Sequence, residues 1–584
     1  MRKTKIICTL GPVSENPQIL KKLLEQGANV IRLNFSHGDH EEHGRRIALI
    51  KQYRDELKLP VAILLDTKGP EIRLGKFKNK RVELQEGQIF VLTTEELPGD
   101  ESKVSISYKG ITRDVSRGDR ILLDDGLIEL KVLEVGQEDV VCQVMNSGEV
   151  SDHKGVNVPG VALNIPSITE KDIEDIKFGI ENDIDYIAAS FSRKPSDILA
   201  IRKILEDFNG SHIGIIAKIE NRQGIENIDD IIKVADGIMI ARGDLGVEIP
   251  AEDVPVVQKM VIDKCIKAGK PVITATQMLE SMIRNPRPTR AEVSDVANAI
   301  YDGTDAIMLS GETAAGRYPV EALKIMSKIA ERVEASVDYK KAFESRHTDS
   351  AVTVTNAIGH ATCSIAHDLG AAAIITATNT GYTARMVAKY RPACHIIATT
   401  TSKSTYRKLA LIWGVTPYVT EIMEGTDSMI ENSTKIAVET GIVKNGDLVV
   451  ITAGIPVGVS GSTNLIKVHI VGDILIKGLG VGTKPAYGKV CVVGDAGEAQ
   501  AKFQEGDILV VKASDNSFMP FLKKAAGIIA EESGVTSHAA IVGLSLEIPT
   551  VVGAEEATEI LKDGMFVTID PIRGFVYNGE AKVV

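Results

Sequence analysis

The sequence predicts an α/β protein built on a TIM (β/α)8 barrel, and three observations favour this fold class. Within residues 1–340, eight short apolar, β-branched runs alternate with helical stretches, as in a parallel sheet covered by helices. Residues 70–166 interrupt this order and instead alternate apolar and polar residues with period two. When they are left out, the regular alternation of strands and helices continues. Eight βα units favour a closed barrel over a doubly wound sheet. The predicted strands are Lys5–Thr9, Val30–Asn34, Ala62–Asp66, Tyr186–Ser190, Ile213–Ala217, Gly237–Ile240, Val272–Thr276 and Ala306–Leu309.

The chain is long enough for about four domains at roughly 150 residues each. We expect residues 1–69 and 167–340 to form the barrel and residues 70–166 to form an inserted small β-barrel lid domain. The lid is predicted from runs of alternating hydrophobicity separated by Gly and Asp-Gly turns. Residues 341–472 return to an αβ alternation and predict an αβ C-domain. Residues 473–584 are β-rich and Gly-rich and predict an extra C-terminal domain.

Composition argues against several functional classes. A formal net charge of −12 and an aromatic content of 4% disfavour nucleic-acid binding and attachment to anionic membranes. The sequence has no run near the ~20 apolar residues of a membrane span, and its first residues lack the apolar region of a signal peptide. The six cysteines form no C-x-x-C pair. Scattered cysteines are typical of reduced thiols, so we expect a cytoplasmic protein.

Polar residues occur at the predicted C-terminal ends of the barrel strands, where TIM-barrel enzymes carry their active sites. Lys218 and Glu220 are two residues apart on an extended segment and therefore point to the same side. Glu220 and Asp244 follow adjacent strands, and paired carboxylates commonly hold Mg²⁺ beside substrate phosphate and water. Salt bridges to Lys218 or Arg242 are the alternative role for these carboxylates. A cation and a metal ligand that converge on one point suit phosphoryl transfer, because the charge of the transferring group must be neutralised.

Several long motifs resemble those of the pyruvate kinase family, over about residues 1–470. The longest, at residues 286–314, reads PRPTRAEVSDVANAIYDGTDAIMLSGETA. The others are VIRLNFSHG at 30–38, LLDTKGPEIR at 64–73, KGVNVPG at 154–160, AKIEN at 217–221, MIARGDLGVEIP at 239–250 and ITATQMLESM at 273–282. The resemblance implies a glycolytic enzyme that transfers the phosphoryl group of phosphoenolpyruvate to ADP, giving pyruvate and ATP. It also implies a need for Mg²⁺ (or Mn²⁺) and K⁺, and a homotetramer.

The same resemblance implies roles for the matching residues. Lys218 would stabilise the charge of the transferring phosphoryl group, and Thr276 and Ser310 would lie near the proton delivered to enolpyruvate. The implied catalytic residues are Lys218, Arg32, Thr276 and Ser310. The implied phosphoenolpyruvate-binding residues are Arg32, Lys218, Gly243, Asp244 and Thr276.

The nucleotide and ion sites are implied in the same way. The nucleotide-binding residues would be Asn34, His37, Arg73 and Lys154. The Mg²⁺ ligands would be Glu220 and Asp244, and the K⁺ ligands Asn34, Ser36, Asp66 and Thr67. Glu71 stands where K⁺-independent relatives carry a lysine that replaces the ion's charge, so the resemblance implies that this chain depends on K⁺.

A loop in the αβ domain has the features of an anion site. Residues 378–383, TNTGYT, follow a predicted strand and open a helix, where hydroxyls and backbone N–H groups suit an anion. The spacing alone equally fits an ordinary helix N-cap. The family binds phosphorylated effectors in the matching loop. The resemblance therefore implies a phosphorylated small-molecule effector bound by Thr378, Asn379, Thr380, Gly381 and Thr383.

The C-terminal stretch EESGVTSHAAIVGLSLEIPTVVG, residues 531–553, resembles the swivelling phosphohistidine domain of dikinases and phosphoenolpyruvate synthases. His538 occupies the phosphorylated position. Those relatives need an ATP-grasp domain to charge the histidine, and this sequence has none, so we expect a structural or regulatory appendage.

Two rival functions remain open. One is phosphotransfer from phosphoenolpyruvate to His538 instead of ADP. The other is a catalytically silent nucleotide or sugar-phosphate sensor that uses residues 351–470. The sensor would need a degraded barrel site, whereas every matched catalytic position is intact.

Two weaker patterns are rejected. His37, His40 and His43 lie close together, but they lack the H-E-x-x-H spacing and occur where a helix begins, so they do not predict a zinc site. Residues 482–489 superficially suggest a P-loop. They have five residues between the glycines, and Val490 stands where a P-loop has Ser or Thr.

Overall fold

A computed structural model describes residues 2–345, 353–423, 425–454, 463–581 and 583. The chain divides into two compact units. The first comprises residues 1–356, 378–392 and 400–419, and the second comprises residues 357–377, 393–399 and 420–584. No helix within these described residues is long and apolar enough to cross a membrane.

A closed barrel of eight parallel strands forms the core of the first unit. Each strand pairs with the next along the chain, and Lys5–Leu10 also pairs with Ala306–Leu309, which closes the cylinder. Helices cover its outer face, which explains why nearly every strand residue is buried. The prediction of a TIM barrel is confirmed. The strands are Lys5–Leu10, Val30–Asn34, Ala62–Asp66, Tyr186–Ala189, Gly214–Ile219, Gly237–Ala241, Val272–Ala275 and Ala306–Leu309.

Several helices of this unit begin at residues whose side chains accept free backbone N–H groups. Thr169 and Asp172 form a reciprocal capping box, as do Thr289 and Glu292. The α-helices are Pro17–Glu25, His40–Glu56, Glu170–Glu181, Pro195–Asp207, Arg222–Glu226, Ile228–Val234, Arg242–Glu248, Val254–Ala268, Arg290–Asp302, Gly311–Ala314, Pro319–Glu334 and Tyr339–Ser345. Short 3₁₀ helices span Ala251–Asp253 and Glu280–Ile283.

The inserted segment has its own apolar core, enclosed by a six-stranded sheet and a two-stranded sheet. Buried and exposed residues alternate in Arg81–Leu84, as the period-two pattern predicts. The strands are Arg81–Leu84, Ile89–Thr93, Lys103–Ser105, Arg120–Leu123, Ile128–Val135, Asp139–Val144, Gly148–Ser151 and Val156–Asn157, with one helix at Ile111–Asp114. Asp124 and Asp125 form a tight turn with positive φ between two of these strands.

Two later segments of the chain, residues 378–392 and 400–419, also belong to the first unit. Arg391 and Asp305 form a buried double ion pair, with N–O distances of 3.0 and 3.1 Å. Arg407 Nε donates to Asp185 Oδ1 at 2.6 Å. These ion pairs fix the two segments at the N-terminal ends of the barrel strands. Their elements are Tyr382–Ala388, Lys403–Lys408, the 3₁₀ helix Leu409–Leu411 and the strand Val415–Val419.

The second unit contains two groups of strands. In the first group, His395–Thr400, Ala373–Ala377 and Leu448–Gly454 are parallel neighbours, and Thr463–Ile470 pairs antiparallel with Leu448–Gly454. The helices beside them are Val354–Asp368 and Thr426–Glu439.

The second group is an eight-stranded C-terminal sheet, which agrees with the predicted β-rich domain. In spatial order its strands are Ile474–Lys477, Phe575–Asn578, Phe566–Asp570, Ala486–Val492, Ile508–Val511, Gly527–Ala530, Thr550–Val552 and Leu479–Val481. Its helices are Ala496–Lys502, Met519–Leu522, His538–Leu546 and Ala557–Ile560, with a 3₁₀ helix at Asn516–Phe518.

Candidate active site

Lys218 lies near the C-terminal end of its barrel strand and is only 9% exposed. Its Nζ lies 2.8 Å from Glu220 Oε1 and 3.1 Å from Asp66 Oδ1, and it donates to Ser190 Oγ at 2.8 Å. Burial alone would lower the pKa of Lys218. The carboxylates of Asp66 and Glu220 outweigh burial and raise that pKa above its usual value. Lys218 is therefore a stable ammonium ion, suited to neutralising negative charge and unsuited to acting as a general base.

Asp66 lies between two cations. Arg32 Nε donates to its Oδ2 at 2.6 Å, and Lys218 lies beside its Oδ1. Burial works to raise the pKa of Asp66, but Lys218 and Arg32 together hold it below its usual value. Arg32 Nη1 also donates to Thr9 Oγ1 at 3.1 Å. The ionised carboxylate of Asp66 thus fixes the positions of both cations.

Glu220 and Asp244 are two carboxyl groups at the barrel mouth, the first buried and the second exposed. Glu220 is 2% exposed, and its Oε2 accepts the backbone N–H of Phe191 at 2.5 Å. Burial raises the pKa of Glu220, and the charge of Asp244 raises it further against the opposing effect of Lys218. Asp244 is exposed, but partial desolvation of its carboxyl group raises its pKa too, against the opposing effect of Lys218. Two carboxyl groups with raised pKa values fit Mg²⁺ or Mn²⁺, because a cation would stabilise their ionised forms and both metals take oxygen ligands.

The described residues contain no group of three or more His, Cys, Asp or Glu side chains that could hold a metal ion. A two-carboxylate site is compatible with that finding, because Mg²⁺ commonly keeps several waters and substrate oxygens as ligands.

Gly243 and Thr276 are held together at the ends of adjacent strands. Thr276 Oγ1 accepts the N–H of Gly243 at 2.7 Å. Thr276 has φ of +66°, a strained conformation for a β-branched residue. Arg242 holds this conformation, because it donates to the carbonyl of Thr276 at 2.9 Å and binds both oxygens of Asp295 at 2.6 and 2.7 Å. The contacts of Arg242 with Thr276 and Asp295 thus hold Thr276 in its strained conformation.

Ser310 lies at the end of the last barrel strand. Its Oγ is buried and has no hydrogen-bond partner among the described residues. Its backbone N–H donates to Glu312 Oε2 at 2.7 Å, while Leu279 N–H donates to Glu312 Oε1 at 3.0 Å. The loop is therefore fixed by Glu312, and the Ser310 hydroxyl remains available. An unpaired buried hydroxyl in a native protein calls for a functional explanation.

The four predicted K⁺ ligands come together at two neighbouring strand ends. Asn34 is directly opposite Asp66 in the parallel pairing of their strands. Asn34 Oδ1 accepts the N–H of Ser36 at 3.1 Å. Thr67 Oγ1 accepts the N–H of Ser190 at 3.2 Å. The donor set consists of side-chain oxygens only, which fits a hard monovalent cation.

A cavity of about 570 Å³ lies between the lid and the barrel mouth, and its size is that of a small-molecule site. Arg73 and Lys154 line it from the lid. Arg73 Nη2 lies 2.6 Å from Glu71 Oε2, and Lys154 Nζ lies 2.9 Å from Asp124 Oδ1. The polar and charged lining residues are Glu71, Arg73, Asp124, Asp125, Lys154, Asn157, Arg193, Asn221, Arg222, Gln223, Glu226, Asp244 and Glu248.

His37 is exposed and is not part of that cavity's lining. Its carbonyl accepts a hydrogen bond from His43 Nε2 at 2.8 Å, and the His43 ring stacks on Phe35 with centroids 3.9 Å apart. His40 is instead bound to Asp175 at 2.7 Å. The side chains of His40 and His43 therefore have separate structural partners.

The predicted effector loop is a compact turn in the first unit. Thr378 Oγ1 accepts the N–H of Gly381 at 3.0 Å, and Thr405 Oγ1 donates to the carbonyl of Asn379 at 2.7 Å. Gly381 has φ of +79°, which a residue with a side chain rarely adopts. Asn379 and Thr380 are exposed, whereas Thr383 is buried at 6% exposure. Four of the five residues are thus gathered in one turn, and Thr383 faces the interior.

His538 begins the helix His538–Leu546 in the second unit and is half-buried. Its Nδ1 lies 2.9 Å from Ser514 Oγ. Ser537 caps the helix by accepting the N–H of Ala540. The imidazole is therefore fixed through one nitrogen.

Sequence reasoning did not assign roles to several residues that shape this site. Ser190 was recognisable only as a polar strand end, although it contacts both Lys218 and Asp66. Phe191 contributes its backbone N–H and adopts a positive φ of 54°. Neither feature can be recognised from the residue type. Asp295 lies within the longest family motif, but its contact with Arg242 depends on the folding of the barrel.

Comparison with known proteins gives a consistent result. Family models match residues 1–323 (pyruvate kinase, barrel domain), 356–469 (pyruvate kinase, alpha/beta domain) and 503–574 (PEP-utilising enzyme, mobile domain). Pyruvate kinases of Geobacillus stearothermophilus and Bacillus licheniformis are 55% and 54% identical, with 100% of this chain and of each relative covered. A crystal structure of a Cryptosporidium parvum pyruvate kinase aligns with a TM-score of 0.77 at 42% identity, covering 80% of this chain and 96% of that chain. The chain belongs to the pyruvate kinase family, in its bacterial form with a C-terminal PEP-utilising domain.

Proposed function

We propose that this chain transfers the phosphoryl group of phosphoenolpyruvate to ADP, giving pyruvate and ATP, with Lys218 as the central cation. The observation that carries the proposal is the buried ammonium of Lys218 beside Glu220, 2.8 Å away, with Asp244 as a second carboxylate whose charge affects Glu220. A fixed cation beside a metal-ligand pair matches the charge requirements of phosphoryl transfer.

The residues of the barrel mouth would have the following roles. Lys218 and Arg32 bind the phosphate of phosphoenolpyruvate, and Lys218 remains protonated throughout because its carboxylate neighbours stabilise the ammonium. The carboxylate of phosphoenolpyruvate lies against Gly243 and Thr276. When bound by Glu220 and Asp244, Mg²⁺ or Mn²⁺ supplies positive charge shared between the two substrates.

ADP would enter the cavity between the lid and the barrel. Arg73 and Lys154 lie on its wall and supply positive charge for the nucleotide phosphates. His37 and Asn34, which do not line that cavity, would bind the nucleotide by the resemblance alone. The β-phosphate oxygen of ADP then attacks the phosphorus of phosphoenolpyruvate in line, while the bond from phosphorus to the enol oxygen breaks. The resulting enolate takes a proton at C3, near Thr276 and the unpaired hydroxyl of Ser310.

The remaining parts of the proposal rest on the resemblance. K⁺ would be held by oxygens of Asn34, Ser36, Asp66 and Thr67. A phosphorylated small molecule would regulate the enzyme through the loop at residues 378–383. We further propose a cytoplasmic homotetramer that binds neither nucleic acid nor membranes. Its domains would be residues 1–69 with 167–340, 70–166, 341–472 and 473–584.

Phosphotransfer to His538 is a second candidate, favoured by one observation. Ser514 holds Nδ1 of His538, which leaves Nε2 as the nitrogen for a phosphoryl group. The sequence provides no ATP-grasp domain, so the phosphoryl donor would have to be phosphoenolpyruvate itself.

A coupled pyruvate assay with and without ADP distinguishes these functions. We expect pyruvate to form continuously only when ADP, Mg²⁺ and K⁺ are all present. A single turnover without ADP, together with phosphate on His538, would favour the histidine pathway. No turnover under any of these conditions would contradict both.

A further inference from the structure

A second cavity, of about 90 Å³, lies at the end of the barrel opposite Lys218. Its walls include Tyr186 and Gly214, which begin barrel strands, and Asp236 and Pro271, which immediately precede strands. The opposite walls come from residues 378–392 and 400–419. The polar lining residues are Tyr186, Arg202, Ser211, His212, Asp236, Thr380, Arg385, Thr405 and Lys408. Active sites occupy the C-terminal face of TIM barrels, so this cavity is separate from the catalytic chemistry.

Arg385 is the unusual residue of this cavity. Its guanidinium makes no hydrogen bond or ion pair with any described residue, and its Nε is buried without a partner. A guanidinium carries five N–H donors, and leaving buried donors unpaired is costly. Its planar fork matches two oxygens of a phosphate or carboxylate. Arg385 therefore has the free donors that an oxyanion needs.

The other two cations of the lining, Arg202 and Lys408, already have hydrogen-bond partners, which limits how much negative charge of a ligand they can neutralise. Arg202 Nη2 donates to Asp236 Oδ2 at 2.7 Å, and that same oxygen accepts the N–H of Ile215 at 2.8 Å. Lys408 Nζ donates only to a neutral group, the carbonyl of His212, at 2.7 Å. Asp236 is the sole acidic residue in the lining, against Arg202, Arg385 and Lys408. The cavity thus has surplus positive charge.

The two arginines of the lining also affect Lys408. Burial is the main cause that lowers the pKa of Lys408; Asp236 and Asp185 oppose it, while Arg385 and Arg202 lower the pKa further. A bound anion would relieve this repulsion between cations. The cavity is several times larger than the ~10–15 Å³ that one water molecule needs, which suits a tetrahedral anion but not a whole nucleotide.

We propose that this cavity binds a phosphate group, either free or as the phosphoryl group of a monoester, with Arg385 as its principal ligand. Lys408 and Arg202 complete the cationic walls, and the exposed Thr380 marks the rim. The site joins the barrel helix Pro195–Asp207 to residues 378–392, so phosphate binding strengthens their association. The argument does not depend on the proposed activity, and it does not require residues 378–383 to be an effector loop.

Calorimetric titration of the full-length protein tests the site, with inorganic phosphate and glycerol 3-phosphate as probes at constant ionic strength. All titrations are repeated with Lys218→Met, which removes the cation that would bind phosphate at the other end of the barrel. We expect saturable binding that Arg385→Leu weakens by about tenfold or more, because charge-assisted hydrogen bonds are lost. Arg332→Leu, at an exposed position, is the matched control and should retain the affinity of the parent protein.

Arg385→Gln serves as a second variant that keeps most of the side-chain stem, in case Arg385→Leu does not fold. Tighter binding of glycerol 3-phosphate than of phosphate would identify a monoester ligand, and equal affinities would identify free phosphate. Both results support the site. Unchanged affinity in a folded Arg385 variant, or no saturable binding to the parent protein, would overturn it.

Discussion

Nζ of Lys218 lies 2.8 Å from Oε1 of Glu220, so a proposed metal ligand is also the counter-ion of the proposed catalytic cation. Both side chains are almost completely buried. The charge of each therefore affects the other strongly, since water does not screen them. Substitutions at one residue should change both catalysis and stability.

Replacing Lys218 with Met should lower kcat by about 10³-fold or more, because a fixed cation on the phosphoryl oxygens is lost. The melting temperature should also fall, since breaking a buried ion pair typically costs about 3–5 kcal/mol. Lys324→Met, at an exposed helical position, is the control for loss of a lysine charge. A folded Lys218→Met enzyme with a tenth of the original kcat would contradict the assigned role.

Activity should depend on K⁺ and fall by about tenfold or more when tetramethylammonium replaces it. The reason is that a bound cation suits the oxygens of the four proposed ligands, Asn34, Ser36, Asp66 and Thr67. Glu71→Lys should reduce this dependence by placing a fixed charge nearby. The same variant should raise KM for ADP, since Arg73 loses its partner 2.6 Å away. Equal rates of the parent enzyme in both salts would disprove the K⁺ site.

Thr380→Glu should abolish activation by phosphorylated effectors, because an added carboxylate at this exposed turn repels phosphate. The same change at Thr383 is a poor test, since a charge at that buried position would destabilise the fold. The measurement is the ratio of rates with and without effector at low phosphoenolpyruvate. Gln137→Glu, exposed in the lid, provides the charge control. Normal activation of Thr380→Glu would place the effector elsewhere.

His538→Ala should leave kcat within about twofold, because every residue assigned to the chemistry belongs to the first unit and His538 to the second. Intact-protein mass spectrometry after exposure to phosphoenolpyruvate should detect no labile phosphate. Ser514→Ala provides a parallel variant that releases the imidazole without removing it. A large rate loss with phosphate on the parent protein would instead support the histidine pathway.

Lys5→Met should remove one pH-dependent contribution to stability. Burial lowers the pKa of Lys5 to about 7, with Arg2 adding to the effect and Glu334 opposing it, although Nζ donates to the Val415 carbonyl at 2.6 Å. The unfolded chain keeps this proton up to about pH 10.4, so between pH 7 and 10 it binds more protons than the folded chain. The contribution of Lys5 to the free energy of unfolding therefore rises with pH, by up to about 1.4 kcal/mol per pH unit.

The measurement for Lys5 is the melting temperature of both proteins at pH 7, 8 and 9. We expect the difference, parent minus variant, to increase steadily with pH. A constant difference would show that Lys5 keeps an ordinary pKa in the folded protein.

The barrel could be predicted from the sequence because the pattern that indicates each strand lies within a few neighbouring residues. Apolar runs such as Ala62–Asp66 and Val272–Ala275 are short and separated by helices, so periodicity locates them. The polar strand ends follow directly, since parallel strands bring them to one face. Val415–Val419 was missed because its five residues, VTPYV, include a proline and give only a weak strand pattern.

The geometry of the site was less predictable, because it depends on contacts between distant residues. The ion pair between Arg32 and Asp66 requires the register that places Asn34 opposite Asp66. The free guanidinium of Arg385 has no local signal either, since the helix pattern around it is ordinary. Only the folded chain places Arg385 in a cavity with Lys408.

The closure of the barrel has a consequence for synthesis on the ribosome. Lys5–Leu10 leaves the ribosome about 300 residues before Ala306–Leu309, yet one of its edges pairs with that strand, and Thr313 Oγ1 donates to the Thr9 carbonyl at 2.9 Å. At about 5–20 residues per second, the nascent chain exposes that apolar edge for roughly 15–60 s. Unpaired strand edges promote association between chains. Chaperones that bind the unpaired strand Lys5–Leu10 should therefore increase the yield of folded protein during translation.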